Sequence, residues 1–194
     1  MKRLLGLTVV VLMFLLAVPP ADAVMLQFTG TLLGTNEVPP NGSTATGSAV
    51  VTLDTVAQTL RVVESFTGLI GGTASAAHIH CCVPPGVAAA VIIPFPGFPP
   101  ATSGTYDHTF DLTAATTYVA AFVTANGGTA VGAEAAFDTA LGAGLTYVNI
   151  HNATFPGGEI RGQLRAVPEP ATILLLGTGL AALAGIARKR HRHK

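Results

Sequence analysis

The sequence predicts an all-β domain between Val24 and Ala166, and three observations support this prediction. Most segments of this region alternate apolar and polar residues, which is the side-chain period of a half-buried strand. Glycine and proline, with 22 and 13 copies in the chain, separate these segments as turn residues do. Only Thr129 to Leu141 has its apolar residues at helical spacing. Charged residues are 10% of the chain, which excludes the charge-rich composition of a disordered protein.

The first 23 residues are predicted to be a secretory signal peptide with a signal helix. Lys2 and Arg3 supply the positive start, Leu4 to Val18 is apolar, and Ala21-Asp22-Ala23 is a small-residue cleavage site. The alternative is a helix that stays uncleaved as an anchor. Because the cleavage site is well placed, we expect the mature chain to begin near Val24.

The domain is predicted to begin with three strands. The first is Leu26 to Leu33, and the segment Asn36 to Ser43 after it is a loop, because two prolines and an Asn-Gly pair break any ladder. Thr46 to Leu53 and Thr59 to Phe66 both alternate. The short link Asp54 to Gln58 between them predicts a hairpin.

The middle of the domain combines a strand with a long loop. Ser75 to Cys82 follows a glycine-rich turn and is predicted to be a strand. Val83 to Ser103 contains six prolines, which forbid a central strand or a long helix. We expect a loop there, with a short helical or strand piece at Val87 to Ile93, and a loop of this length is often functional.

The second half returns to strands after one helix. The helix is predicted over Thr129 to Leu141, and the apolar segment Tyr118 to Val123 before it is brief. The remaining strands are predicted at Tyr106 to Leu112, Leu145 to His151 and Glu159 to Ala166.

Two strands concentrate histidines on one face. Because side chains alternate along a strand, His78, His80 and Cys82 share one face, and Tyr147, Asn149 and His151 share one face of their own strand. The opposite faces carry Ile79 and Ile150, so we expect these two to enter the core. The histidines then point to the other face or lie under the loop from Val83 to Ser103.

The C-terminus has three parts in a fixed order. Pro168-Glu169-Pro170 is followed by the apolar run Ala171 to Ala187 and by the basic tail Arg188 to Lys194. At about 1.5 Å per residue the run spans roughly 25 Å, near the lower limit for a transmembrane helix. The basic tail is expected to stay on the cytoplasmic side, with the domain outside.

The charge pattern argues against a nucleic-acid partner. The region from Val24 to Ala166 has eight acidic side chains against three arginines, a net charge of about −5. Phosphate contacts need lysine and arginine, which this region lacks. The basic tail adjoins an apolar run and therefore indicates a membrane signal.

The C-terminal parts resemble a PEP-CTERM sorting signal. The resemblance implies a Gram-negative bacterium that makes exopolysaccharide, and an exosortase that processes the chain near Pro168, Glu169 and Pro170. An ordinary C-terminal membrane anchor is the alternative, and it predicts the same apolar run without processing.

The domain resembles the CHRD domain, the module named after chordin. The matching pieces are Asn36 to Pro40, Ala77 to His80, Val148 to His151 and Pro156 to Leu164, in the family's order. The resemblance implies an immunoglobulin-like antiparallel β-sandwich, here with one inserted helix, of uncertain biochemical role. The family-motif residues are Glu37, His78, His80, Asn149, His151, Gly158, Glu159, Arg161 and Gly162.

The histidines allow two interpretations. His78 and His80 at i and i+2 can ligate one metal from a strand, with His151, His108 or Cys82 completing the site, and imidazole suits copper or zinc. This pattern is also similar to Cu/Zn superoxide dismutase, although the segment between Cys82 and Tyr106 has neither histidine nor aspartate. The other interpretation gives the histidines a structural role, with buried imidazoles bonded to the backbone.

Three further features complete the prediction. Cys81 and Cys82 are adjacent, so in an oxidising compartment they form a strained disulfide with each other, an intermolecular bridge or metal thiolates. Glu159 and Arg161 are expected to form a charge pair at the surface or at a sheet edge. No nucleophile elbow, phosphate-binding loop or zinc-protease helix is present.

The sequence therefore predicts a non-enzymatic protein exported to the cell surface or extracellular matrix. Residues 1–23 are the signal peptide, 24–166 the domain and 167–194 the sorting signal with its transmembrane helix at 171–187. The expected partners are an exosortase, the membrane before processing, and exopolysaccharide or envelope components, without a cofactor. The alternative is a copper or zinc redox protein that uses His78, His80 and His151.

Overall fold

The structure is a computed structural model that describes residues 25–168. The predicted signal peptide and the transmembrane helix at 171–187 lie outside the described residues. Within residues 25–168, no helix has the length and apolar character needed to cross a membrane.

Nine strands and two α-helices make up the described chain. The strands are β1 (Met25–Leu33), β2 (Thr46–Asp54), β3 (Thr59–Thr67), β4 (Ala76–Cys81), β5 (Ala90–Pro94), β6 (Gly104–Asp111), β7 (Thr146–His151), β8 (Ile160–Gln163) and β9 (Arg165–Ala166). The helices are α1 (Ala120–Ala125) and α2 (Ala130–Gly142), and single 3-10 turns lie at Gly34–Asn36 and Ala115–Thr117. The all-β class is thereby confirmed.

The strands form one continuous antiparallel sheet in the order β5-β4-β7-β8-β1-β2-β3-β6, with β9 beside β1. The sheet curls around a single core in a sandwich-like manner, so that its two edges approach each other. The ring of Phe95, directly after β5, stacks 5.1 Å from the ring of Tyr106 on β6. The predicted hairpin is β2 and β3, which pair along their whole length from Thr46↔Thr67 to Asp54↔Thr59.

The core takes one face of each strand, as the alternation predicts. Ile79 on β4 and Ile150 on β7 are both fully buried in it, which confirms their expected placement. Helix α2 begins after Thr129, whose hydroxyl accepts a hydrogen bond from the Gly132 amide, and it buries Phe137. The sequence missed α1, because six residues are too few to establish a helical period.

Candidate functional site

The histidine cluster arises from the pairing of β4 with β7. The register places His78 opposite Asn149 and His80 opposite Tyr147, while His151 lies opposite Ala76. Because alternate residues share a face, the three histidines project from the same side of the sheet. Their ring centres are 4.9 Å apart for the His78–His151 pair, 5.8 Å for His78–His80 and 5.9 Å for His80–His151. One ring nitrogen from each lies within 4.8 Å of the others.

Two ring nitrogens in this cluster are buried without a hydrogen-bond partner. They are Nδ1 of His78 and Nε2 of His151. Nδ1 of His151 lies 2.9 Å from the carbonyl oxygen of Pro156. A carbonyl only accepts, so this bond puts the proton on Nδ1 and leaves the lone pair of a neutral ring on Nε2. The orphaned Nε2 of His151 is therefore a free electron-pair donor.

His80 has oxygen neighbours at both ring nitrogens. Its Nδ1 lies 2.9 Å from the carbonyl oxygen of Ala89, and its Nε2 lies 2.8 Å from Oδ1 of Asn149. A neutral imidazole has one N–H and donates to one of these oxygens only. The other nitrogen then faces an oxygen without a proton between them, so His80 has to release one of these two contacts before that nitrogen can ligate a metal.

The environment keeps the cluster neutral. Burial, followed by the proximity of His151 and then His80, lowers the pKa of His78 to about 4. Burial is also the main cause that lowers the pKa values of His80 and His151 below the usual value for imidazole. At neutral pH the three rings are therefore unprotonated, which is the state in which histidine ligates a metal.

An aromatic stack supports the cluster on one side. The Tyr147 ring lies parallel to the His80 ring with 4.6 Å between their centres. The guanidinium carbon of Arg161 lies 3.3 Å from the centre of the same tyrosine ring, a cation–π contact. Arg161 Nη2 also donates to the carbonyl oxygen of Val87 at 2.8 Å. His80 and Arg161 are thus fixed by a shared neighbour, Tyr147.

A second support passes through Asn149. Its Nδ2 donates to the Gly157 carbonyl at 3.3 Å and lies 3.5 Å from Oε1 of Glu37, while its Oδ1 faces His80. Gly158, at φ +129°, packs so closely here that a β-carbon would collide with the Glu37 carboxyl and with the Asn149 amide. A glycine is therefore required at position 158 by both backbone conformation and space.

Glu159 holds the neighbouring loops together. It is fully buried, and its carboxylate accepts bonds from Ser43 Oγ at 2.6 Å, the Ile70 amide at 2.7 Å and the Gly71 amide at 3.2 Å, and from Asn152 Nδ2. The prediction of a surface charge pair between Glu159 and Arg161 is wrong, since both are buried and each has its own partners. Alternation alone missed this because β8 is covered on both faces.

Gly162 lets two strands approach. A β-carbon at this position would lie 2.9 Å from Leu32 Cδ1 and 3.0 Å from the Thr31 carbonyl oxygen. Any larger residue would push β8 away from β1, and with it Arg161. All nine family-motif residues thus lie in or directly beside one network on β4, β7, β8 and the loops that join them.

The proline-rich segment covers part of the face that carries the histidines. This agrees with the expectation that the histidines lie under the loop from Val83 to Ser103. Its start contributes the carbonyls of Val87 and Ala89, and its short strand β5 pairs with β4 from Cys81↔Ala90 to His78↔Pro94. Cys81 and Cys82 are joined by a disulfide at the point where β4 enters this segment. Cys81 is buried and Cys82 is exposed.

Two of the candidate metal ligands do not join the cluster. His108 lies on β6, with its ring 4.6 Å from Phe110 and 5.9 Å from Tyr106, so it belongs to the opposite edge of the sheet. Cys82 is occupied by its disulfide. The structure therefore brings together His78, His80 and His151 alone of the proposed ligands.

Sequence reasoning missed one buried acid. Glu64 on β3 is fully buried, and neither carboxyl oxygen has a hydrogen-bond partner. Burial raises its pKa to about 8. A signal was available in the sequence, because Glu64 alternates with Leu60, Val62 and Phe66, all of which enter the core.

These contacts define an all-β domain in which the sequence motifs build one polar network on one side of the sheet. The CHRD domain model matches residues 28–164, well over half of the chain, and the chain belongs to the CHRD domain family. The model of the PEP-CTERM protein-sorting motif matches residues 166–190. The chain is therefore an exported protein with an exosortase sorting signal, and both resemblances are confirmed. No curated protein and no solved structure matches it.

Proposed function

We propose that the CHRD domain is an extracellular binding module that holds one copper or zinc ion with His78, His80 and His151. The observation that supports this most is the pair of orphaned nitrogens, His78 Nδ1 and His151 Nε2, in a three-histidine cluster. Leaving buried polar atoms unpaired is unfavourable, and a bound cation removes that penalty.

The spacing fits the geometry of such a site. With metal–nitrogen bonds of about 2.0–2.1 Å in a tetrahedral arrangement, three imidazole ring centres come to lie about 5 Å apart. The observed separations of 4.9–5.9 Å are close to this, and one nitrogen of each ring lies within 4.8 Å of the others, so rotation of the side chains is enough to bring the three nitrogens onto one ion. Three protein ligands leave one position for water or another ligand. The hydrogen bond from His151 Nδ1 to Pro156 fixes the ring orientation as an outer partner does in metal sites.

The role we assign is binding rather than superoxide dismutation. The dismutase likeness requires further histidines and an aspartate from the loop after β4, and residues 83–105 contain neither. Within residues 25–168, the cluster consists of the three histidines only. A binding role at the surface, toward envelope or exopolysaccharide components, agrees with the sorting signal.

Metal analysis of the exported, processed protein tests this function. After exposure to zinc or copper and removal of loosely bound metal, we expect about one equivalent per chain, and a strong loss in His78→Ala. His108→Ala is the matched control, since it removes a histidine outside the cluster, and it should keep the metal. Less than about a tenth of an equivalent in the unmodified protein would rule out the metal site.

We also propose that processing occurs at Pro168, Glu169 and Pro170. The match to the sorting motif supports this placement, and Pro168 is exposed beyond the last strand. Replacing all three by alanine should leave full-length protein in the membrane fraction. Val167→Ala, directly before the Pro-Glu-Pro residues, should be released normally. Release of the triple variant at the normal rate would contradict the assignment of the motif.

A further inference from the structure

A cleft of about 380 Å³ opens beside the motif network, and its lining includes Glu37 and Arg161 but none of the three clustered histidines. It lies between the loop after β1 and the start of the proline-rich segment. Its walls include Thr35, Val38, Pro40, Pro85 and Gln163, and Glu37 and Arg161 line it as well. A cavity of this size suits one small molecule or one terminal group of a larger molecule.

The cleft contains a cation and a carboxyl group that are not paired with each other. Arg161 and Glu37 are 2% and 5% exposed, and no oxygen of Glu37 lies within 4.0 Å of a guanidinium nitrogen, the limit for an ion pair. Buried charges are normally paired directly because their desolvation is expensive. Here the two groups attract each other without a direct contact. Arg161 is held by Tyr147 and the Val87 carbonyl, and Glu37 is held by the amide of Asn149.

This arrangement resembles a site prepared for a ligand that completes the pair. Guanidinium binds a carboxylate through two parallel N–H···O bonds, which is its preferred geometry. A carboxyl oxygen such as that of Glu37 accepts from a hydroxyl or an ammonium group. Pro40, Pro85 and Val38 offer apolar surface to the body of a small molecule.

The charge of the domain favours a ligand that is not simply an anion. Eight acids against three arginines between Val24 and Ala166 repel free anions at long range. Of those arginines, Arg61 is paired with Asp107 at 2.6 Å on the surface, and Arg165 is exposed on β9. Arg161 and Glu37 together are close to neutral, so a ligand with both an acceptor and a donor group matches them best.

We propose that this cleft binds a small carboxylate that has a hydroxyl or ammonium donor on the neighbouring carbon, with the carboxylate on Arg161 and the donor on Glu37. The two sources of this chemistry are hydroxy acids, including uronic acids, and amino acids. The site is distinct from the metal cluster, because its two key side chains belong to the loop after β1 and to β8, whereas the three histidines lie on β4 and β7.

Calorimetric titration of the exported, processed protein in a metal chelator tests the proposal. The probes are lactate and glycine, with acetate, which lacks the donor, and ethanolamine, which lacks the carboxylate, as controls. We expect saturable binding of lactate or glycine with a Kd of about 1 mM, and binding of either control at least about tenfold weaker. Lactate alone identifies the hydroxyl as the donor, glycine alone identifies the ammonium, and either result supports the proposal.

Two variants locate the binding. Arg161→Lys keeps the charge but loses the two-bond geometry, and it should weaken binding by about tenfold or more. Thr35→Trp, at an exposed position on the cleft wall, should abolish binding without lowering the melting temperature, so it remains informative if the arginine variant is unstable. Thr105→Trp, an exposed threonine on β6, is the matched control and should bind normally.

Three outcomes would overturn the proposal. The first is that neither lactate nor glycine gives saturable heat at about 10 mM, ten times the expected Kd. The second is that acetate binds as tightly as lactate and glycine do. The third is that Thr35→Trp binds the probes as tightly as the unmodified protein does. None of these results bears on metal content, so failure of the cleft proposal and failure of the metal proposal are distinguishable.

Discussion

Two buried polar regions of this domain contrast sharply. On β7, β8 and the loops beside them, the buried side chains of Glu37, Asn149, Glu159 and Arg161 each have hydrogen-bond partners that are far away in the sequence. On β3, Glu64 is equally buried but has no partner, and the hydroxyl of its cross-strand neighbour Tyr106 has none either. The first region is organised by polar contacts, and the second is an acid placed in a hydrophobic core.

The difference shows what burial does with and without partners. Burial removes water from both regions, but fixed donors replace it around Glu159, for which four donors are available. For Glu64 only protonation reduces the cost, so its pKa rises to about 8. We therefore expect function to lie on the face of β4 and β7 that carries the histidines. We expect Glu64 to make the fold less stable as the pH rises toward 8.

The largest expected effect is at Glu64. Its pKa is raised in the folded state, so the folded protein binds more protons than the unfolded chain between about pH 4.5 and 8, and its contribution to stability falls as the pH rises through this window. Glu64→Met should remove this loss and stabilise the domain by roughly 3 to 5 kcal/mol at pH 8 relative to the unmodified protein. Urea unfolding at pH 5 and pH 8 measures the difference.

The matched control is Asp107→Asn, at an exposed acid on the neighbouring strand. Its pair with Arg61 lies on the surface, where solvent screens it, so the variant should change stability little and show no new dependence on pH in this range. If Glu64→Met is less stable than the unmodified protein at pH 8, then the carboxylate has partners in solution and the contrast between the two regions fails.

The next effect compares the two faces of β4. Ile79 is fully buried among core residues, so Ile79→Ala should lower the free energy of unfolding by about 2–5 kcal/mol through cavity formation. His78→Ala should lower it by less, because its ring is only half-buried and its Nδ1 has no partner to strand. Denaturant unfolding in the presence of a chelator compares them. A much larger loss for His78→Ala would make the histidines core residues with a purely structural role.

The smallest expected effect is the acid response of the histidine cluster. The pKa values of His78, His80 and His151 are lowered in the fold, so the unfolded chain binds more protons at these residues below about pH 6.5. Their contribution to stability therefore falls as the pH drops from there toward 4. His78→Gln should flatten this slope in metal-free protein when unfolding is followed between pH 4 and 7. An unchanged slope would show that His78 binds its proton equally well in the folded and the unfolded chain.

Strand positions and faces could be predicted from the sequence because alternation is a local property. Ile79 and Ile150 lie in the core as their positions between polar neighbours indicate. The grouping of His151 with His78 and His80 depended on the pairing of β4 with β7, which local pattern does not encode, and the exclusion of His108 depended on its place at the opposite edge. The motif resemblance named the residues but not their contacts.

The rest could not be predicted because it depends on long-range contacts. Arg161 and Glu159 resemble surface residues in sequence, and only the loops that close over β8 bury them. In the sequence, Glu64 is a single polar residue in an otherwise apolar strand face. Whether its carboxyl group has a hydrogen-bond partner depends on the residues that pack against it from β2 and β6. Sheet curvature and loop placement decide these environments.

X-ray absorption at the zinc edge of the zinc-loaded, processed protein tests the central claim most directly. If His78, His80 and His151 bind the ion, the spectrum should contain the scattering of three imidazoles at about 2.0–2.1 Å, and His151→Ala should reduce their number to two. His108→Ala should leave it unchanged. A spectrum with oxygen ligands only, or one that His151→Ala does not alter, would contradict the account.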